Sequence, residues 1–218
     1  MPTADRILSW AIAVANDWRW LAIAWHVVLA MLLIVCVSRW RPSTRLLGLF
    51  LIAPLGSVAL VAGVSGNPFN GFMFLSLVIL LERAAVRLPV APVTWANART
   101  GVTGATLVTV GWAYPHFLRT DTWTEYLYAS PFGLLPCPTL AVVMGITLMF
   151  GGFRSTRWSL LLSAAGVLYG VIGVFVLRVW LDGWLLAGAM LLAIQLVHGA
   201  TPQRTELGEA PRPQLQGP

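Results

Sequence analysis

The segment richest in chemistry is Pro131-Phe132-Gly133-Leu134-Leu135-Pro136-Cys137-Pro138-Thr139, in which three prolines fall within eight residues. Proline carries no amide proton, so Pro136 and Pro138 cannot bond the carbonyls of Phe132 and Leu134, and Pro138 pushes Cys137 towards extended backbone. The spacing predicts a helix with Pro138 at its first position and Cys137 as its N-cap. Free amides and the helix dipole at such an end favour a thiolate, which is either a soft-metal ligand or a nucleophile. The plainer alternative is a small buried hydrophobe at an irregular helix entry.

Three further groups could join it. His116 stands five residues before Asp121, and a metal-bound imidazole usually leans on a carboxylate; otherwise it is an interfacial imidazole. His26 lies inside an apolar run, about 9 Å below its start at 1.5 Å per residue, where a polar side chain is either functional or an interhelical hydrogen-bond donor. Asp182, between Trp180 and Trp184, reads first as a helix cap. Together Cys137, His116 and His26, with carbonyls freed by Pro136 and Pro138 and with Asp121 and Asp182 nearby, describe an outward-open site for a small solute. One thiol and two imidazoles suit copper(I), zinc or mercury better than calcium or magnesium, making a soft metal ion the cofactor or cargo to expect. A second reading is a membrane thiol enzyme with Cys137 as nucleophile, His116 as base and Asp121 as the orienting group. A third is a non-catalytic assembly subunit.

The elements that must position these residues are helices in a membrane. Of 218 residues, 58% are hydrophobic and 10% charged, where a soluble domain has roughly 25% charged. Seven apolar runs, at 20–38, 46–64, 69–87, 102–118, 131–152, 158–178 and 183–199, each approach the roughly 20 residues that cross a hydrocarbon core. The reading is an all-α polytopic integral membrane bundle of about seven transmembrane helices, the fifth broken by proline. Residues 1–19 form an N-terminal interfacial segment, 20–199 the transmembrane bundle and 200–218 a disordered cytoplasmic tail, with His198 capping the last helix. Gly166 and Gly170 form a G-x-x-x-G pair that packs within the bundle or makes a homo-oligomer.

All 14 basic residues are Arg. Arg39, Arg41 and Arg45, then Arg83, Arg87 and Arg99, then Arg154 and Arg157 occupy three connections that must share one side. By the positive-inside rule that side is cytoplasmic, with the N-terminus outside and the C-terminus inside. Trp18, Trp20, Trp180 and Trp184 are expected at the outer interface, and Trp40 and Trp158 at the inner one. Such clusters orient a protein in the lipid bilayer; nucleic acid would need a basic face on a water-exposed module, and none is present. Without Lys there is no phosphate loop and no Schiff-base chemistry, and no H-E-x-x-H or paired C-x-x-C occurs. Cys36 and Cys137 are expected at opposite surfaces, too far apart to form a disulfide.

The string SPFGLLPCPTL at 130–140, the Ala-Tyr-Pro at 113–115 and LDGWLLAGA at 181–189 resemble segments of a bacterial membrane family catalogued as domain of unknown function 6064. The likeness spans most of residues 20–198, with Pro136 to Thr139 as its best motif. Leu140 stands where the family often has a second Thr. The resemblance implies a multi-pass membrane protein and carries no activity to named residues.

Overall fold

The computed structural model describes residues 3–199, the last four by backbone alone; the expected tail at 200–218 and the capping role of His198 fall outside them. Among the described residues every regular element is helical: α1 (Ala4–Asp17), α2 (Arg19–Val37), α3 (Thr44–Val64), α4 (Pro68–Ala85), α5 (Ala98–Trp112), the single turn α6 (Tyr126–Ala129), α7 (Pro136–Met149), α8 (Thr156–Val171) and α9 (Asp182–Gly199). Among these, α2, α3, α4 and α8 with its continuation to Val176 are long and apolar enough to cross a membrane. α7 is apolar but shorter, and α9 is apolar over Asp182–Gln195.

Five of the seven expected runs match α2, α3, α4, α8 and α9 to within two or three residues. Two depart, and proline is the cause of both. α5 stops at Trp112, six residues short of the expected run, because Pro115 disfavours helical backbone at Tyr114 and has no amide to continue the ladder. α7 starts at Pro136, with Leu135 as an extended N-cap. This corrects the expected start at Pro138: both prolines lie in the first turn, where amides have no intrahelical acceptor in any case, so neither removes a bond. Cys137 is therefore inside the first turn and is not the N-cap. The break in the fifth apolar run lies upstream, where Ser130 to Leu135 are buried without helical structure. Thr139 holds that segment, its hydroxyl donating to the Leu135 carbonyl at 2.7 Å and accepting from the Gly133 amide at 2.9 Å.

α7 is the axis of the bundle. Twelve of its 14 residues are buried, enclosed by α3, α5, α8 and α9. Lipid offers no hydrophobic drive for helix association, so close backbone approach must supply it. A Cβ added to Gly104 of α5 would lie 2.5 Å from the Gly145 carbonyl of α7, and one added to Gly145 would lie 2.6 Å from the Gly104 carbonyl. Seven residues along α5, a Cβ on Gly111 would lie 2.6 Å from the Pro138 carbonyl. The two helices are thus antiparallel and in backbone contact. α8 and α9 repeat the device, with Gly166 against Ala189 and Gly170 against Leu186. The Gly166 and Gly170 stripe, a candidate homo-oligomer surface in the sequence, is occupied by the chain's own α9.

The three Arg-bearing connections meet at one end. The Thr44 amide bonds the Ala91 carbonyl at 2.9 Å, the Val93 amide bonds the Pro42 carbonyl at 3.0 Å, and the Ala96 amide bonds the Met149 carbonyl at the end of α7 at 2.8 Å. From there the chain enters α8 through a left-handed turn, with φ of 62°, 67°, 56° and 52° at Gly151, Gly152, Phe153 and Arg154. Two glycines bear this conformation without penalty, while Phe153 and Arg154 are strained in it. The buried Phe153 ring, 5.4 Å from Trp158, holds it in place. Trp158 is fully buried, its indole donating to Thr147 at 3.1 Å, which corrects its expected place in an interfacial belt: the indole N–H has found a partner in the core.

Helix contact through glycine predicts a sharp contrast along α5. Gly104→Ala should destabilise the protein by about 1–3 kcal/mol, the usual cost of overpacking. Gly101→Ala, where nothing lies within 4 Å, should be neutral or stabilising, since Ala is the better helix former. Thermal unfolding of the two variants in detergent measures the difference.

Candidate functional site

At the end opposite the Arg-bearing loops, three helix termini converge: the end of α5, the first turn of α7 and the first residue of α9. Each brings one polar group. Tyr114, just past α5, is buried and donates its hydroxyl to Oδ1 of Asp182 at 2.7 Å. The Cys137 thiol lies within electrostatic reach of the same carboxylate. Asp182 is 2% exposed, and no basic side chain lies within 4 Å of it among the described residues. Its other oxygen rests on Gly173, where a side chain would collide with it. Gly173 lies in a π-helical turn, Ile172–Val176, that continues α8; such turns are frequent at functional sites.

The cluster extends towards α4. Tyr169, one turn before Gly173, lies within electrostatic reach of Cys137 and donates its hydroxyl to Oδ1 of the buried Asn70 at 3.0 Å. Asn70 is placed by the Asn67 cap and Pro68, which start α4. Five helices therefore contribute to one buried polar arrangement. An isolated carboxylate in an apolar setting costs several kcal/mol unless it is hydrogen-bonded; the Tyr114 phenol supplies such a bond. Ser130, at the head of the non-helical segment, keeps a buried hydroxyl with no partner among the described residues.

Of the residues singled out in the sequence, the structure joins Cys137 and Asp182 and places the others elsewhere. Asp182 turns to Tyr114 and Cys137, a different use from the expected N-cap. His26 is buried, with Nδ1 2.8 Å from the Ala22 carbonyl and Nε2 2.9 Å from the Trp112 carbonyl. Each ring nitrogen thus faces a backbone carbonyl, and the single N–H of a neutral ring bonds whichever of the two its tautomer selects. His26 packs α2 against the end of α5, with a carbonyl oxygen in front of each nitrogen where a metal would have to stand. His116 sits in the loop after α5, edge-on to Phe117 at 4.3 Å. No hydrogen bond links it to Cys137 or to Asp121 among the described residues, and Asp121 is exposed. The expected Cys137-His116-Asp121 order of a thiol enzyme is not assembled. Glu125, the other acid of that loop, pairs with Arg19 at 2.6 Å. Among the described residues no three His, Cys, Asp or Glu side chains come together as a metal-ligand group. The set Cys137, His116 and His26 is corrected accordingly: His26 is used in packing and His116 lies in the surface loop. Pro136 and Pro138 shape the first turn of α7 and approach no ligand position. Both cysteines are free thiols, and Cys36 is buried in α2.

Sequence reasoning passed over Tyr114, Tyr169, Asn70 and the space left by Gly173. Their common signal is position, since each lies at the same end of an apolar helix as Cys137 and Asp182. No family model matches the chain, and no curated protein or solved structure matches it either.

Partial burial beside Phe117 lowers the His116 pKa below the ordinary 6.5. The folded state then favours the neutral ring, so its contribution to stability is full above 6.5 and is lost as pH falls from there through the folded value. Carbon-13 NMR of labelled histidine, assigned with His116→Gln, should show His116 titrating below 6.5; a midpoint at or above that value would remove this feature of the loop.

Proposed function

We propose that the chain is a seven-crossing membrane protein, α2 to α5 and α7 to α9 forming the crossings, that moves a small solute through an outward-facing site with Asp182 as its exchangeable proton position. The observation that carries this reading is the Asp182 carboxylate, buried between Tyr114 and Cys137 without a cationic partner. A carboxyl group at membrane depth is costly and marks solute pathways and proton relays. The alternation of antiparallel neighbours supports the seven crossings, and the shorter α5 and α7 cross by burying the non-helical stretches beside them in protein.

Eight Arg on or beside the three joined loops, with Glu82 the acid there among the described residues, support a cytoplasmic placement of those loops. The N-terminus is then outside, the C-terminus inside, and the Asp182 cluster opens outward in a bacterial inner membrane. The Pro136-Cys137-Pro138-Thr139 resemblance to the family of domain 6064 belongs to the same reading. A thiol and a carboxylate side by side also suit a soft cation as cargo, held by Cys137 and Asp182 and not by the two imidazoles.

The test is proton flux in phosphatidylcholine liposomes holding the full chain and a luminal pH dye, driven by a potassium diffusion potential. Wild type should acidify the lumen, Asp182→Asn should fall to the protein-free background, and Asp121→Asn should match wild type. Flux that survives Asp182→Asn, or none in wild type, would overturn the proposal.

A further inference from the structure

A second site lies outside the buried cluster, where α1 meets the loop that follows α5. Leu8 and Ile12, one turn apart, form the half-buried side of α1 that faces this loop, while Ala11, Val14 and Ala15 bury the adjoining side against the bundle. Between them and His116, Phe117, Leu118 and Arg119 is an open cleft of about 290 Å³. That is close to the lower end of sites that hold a small molecule, roughly 300–1,000 Å³.

The cleft is built into the fold. Asn16 of α1 donates to the Phe117 carbonyl at 3.1 Å and accepts from the Arg119 amide at 2.9 Å. Trp10 ties α1 to the Ser65 carbonyl at 2.9 Å, and Tyr126 holds the Leu118 carbonyl at 3.2 Å. Phe117 adopts a left-handed φ of 71° and stacks over Tyr114 at 6.1 Å. A bulky residue keeps that conformation only where its surroundings fix it.

The chemistry of the lining is divided. Leu8, Ile12, Phe117 and Leu118 are apolar. Arg119 is exposed and has no carboxylate within 4 Å among the described residues, and His116 adds a second nitrogen group. The level is also defined, because α2 enters the apolar region directly after α1, and Trp20 and Trp180 are 82% and 80% exposed at this end. Amphipathic Trp side chains mark the headgroup level of a bilayer. An apolar floor with a cationic rim at that depth complements one molecule present there, an amphiphile with an anionic head.

The geometry points to a binding site for an anionic phospholipid, one acyl chain lying on Leu8, Ile12 and Phe117 and the phosphate facing Arg119 and His116. Guanidinium groups recognise phosphate with charge-assisted hydrogen bonds. The site stands independently of the transport reading, since it shares no residue with the Asp182 cluster. It also gives α1 a role, as one wall of a lipid site held against the loop.

The test uses the full chain in phosphatidylcholine nanodiscs doped with photoactivatable phosphatidylglycerol, or with photoactivatable phosphatidylcholine, followed by peptide mapping. In wild type, residues 8–12 and 116–119 should label more heavily with phosphatidylglycerol. Arg119→Gln should abolish that preference, and Ile12→Trp, which fills the cleft, should reduce labelling by both lipids. Labelling at the Arg-bearing loops of the opposite end should stay unchanged in both variants, reporting that the fold is intact. Equal labelling by the two lipids in wild type, preference retained in Arg119→Gln, or protection by inorganic phosphate alone would each overturn the inference.

Discussion

On the proposed seven-crossing arrangement, a 14-residue helix reaches only about 21 Å at 1.5 Å per residue, short of a hydrocarbon core of about 30 Å, and much of the packing follows from accommodating α7. A short helix and a buried non-helical approach can exist in a bilayer only if protein surrounds them on every side. α3, α5, α8 and α9 do so, and Gly104, Gly111 and Gly145 let α5 approach to backbone contact. The same requirement explains the residues at its approach. Thr139 satisfies the Gly133 amide, and a Cβ at Gly133 would strike the Trp25 ring that closes over it. Trp25 in turn donates to Ser57 of α3 at 3.0 Å.

The polar cluster depends on that close packing. Asp182 is admitted because Gly173 leaves room for its carboxylate, and Tyr114 reaches it because Pro115 ends α5 where it does. His26 then stands against the Trp112 carbonyl at the end of α5, with Nε2 2.9 Å from it. Stability and chemistry are thus built from the same features: helix ends that meet inside the protein need polar partners, and one of those partners is an acid. The opposite end is organised differently, with three loops joined by backbone bonds and surrounded by arginine.

Much of the fold was legible in the sequence, because apolar run length and arginine placement are one-dimensional signals of the bilayer itself. They located five helices closely and required the three Arg-bearing loops to share an end, as their backbone bonds show. Proline was read in part. The fifth run is interrupted, but upstream of the prolines at 136 and 138, which sit in a first helical turn and cost nothing there, and Pro115 shortened α5 more than an apolar count could show. The candidate site was legible in its members Cys137 and Asp182 and in its position near one surface. Its partners were not, because Tyr114, Tyr169 and Asn70 come from three different helices and their meeting depends on rotation about each axis. His26 misled for a related reason: the bond that uses its second nitrogen goes to a residue 86 positions away.

The central claim is that the first turns of α7 and α9 bring Cys137 and Asp182 together at one end of the bundle, and disulfide trapping tests it most directly. In a Cys36→Ser background, Asp182→Cys should form a disulfide with Cys137 under mild oxidation in the membrane, identified as a linked peptide by mass spectrometry, while Asp121→Cys in the same background should not. A link from position 121, or none from position 182 in a protein that remains folded, would contradict the account.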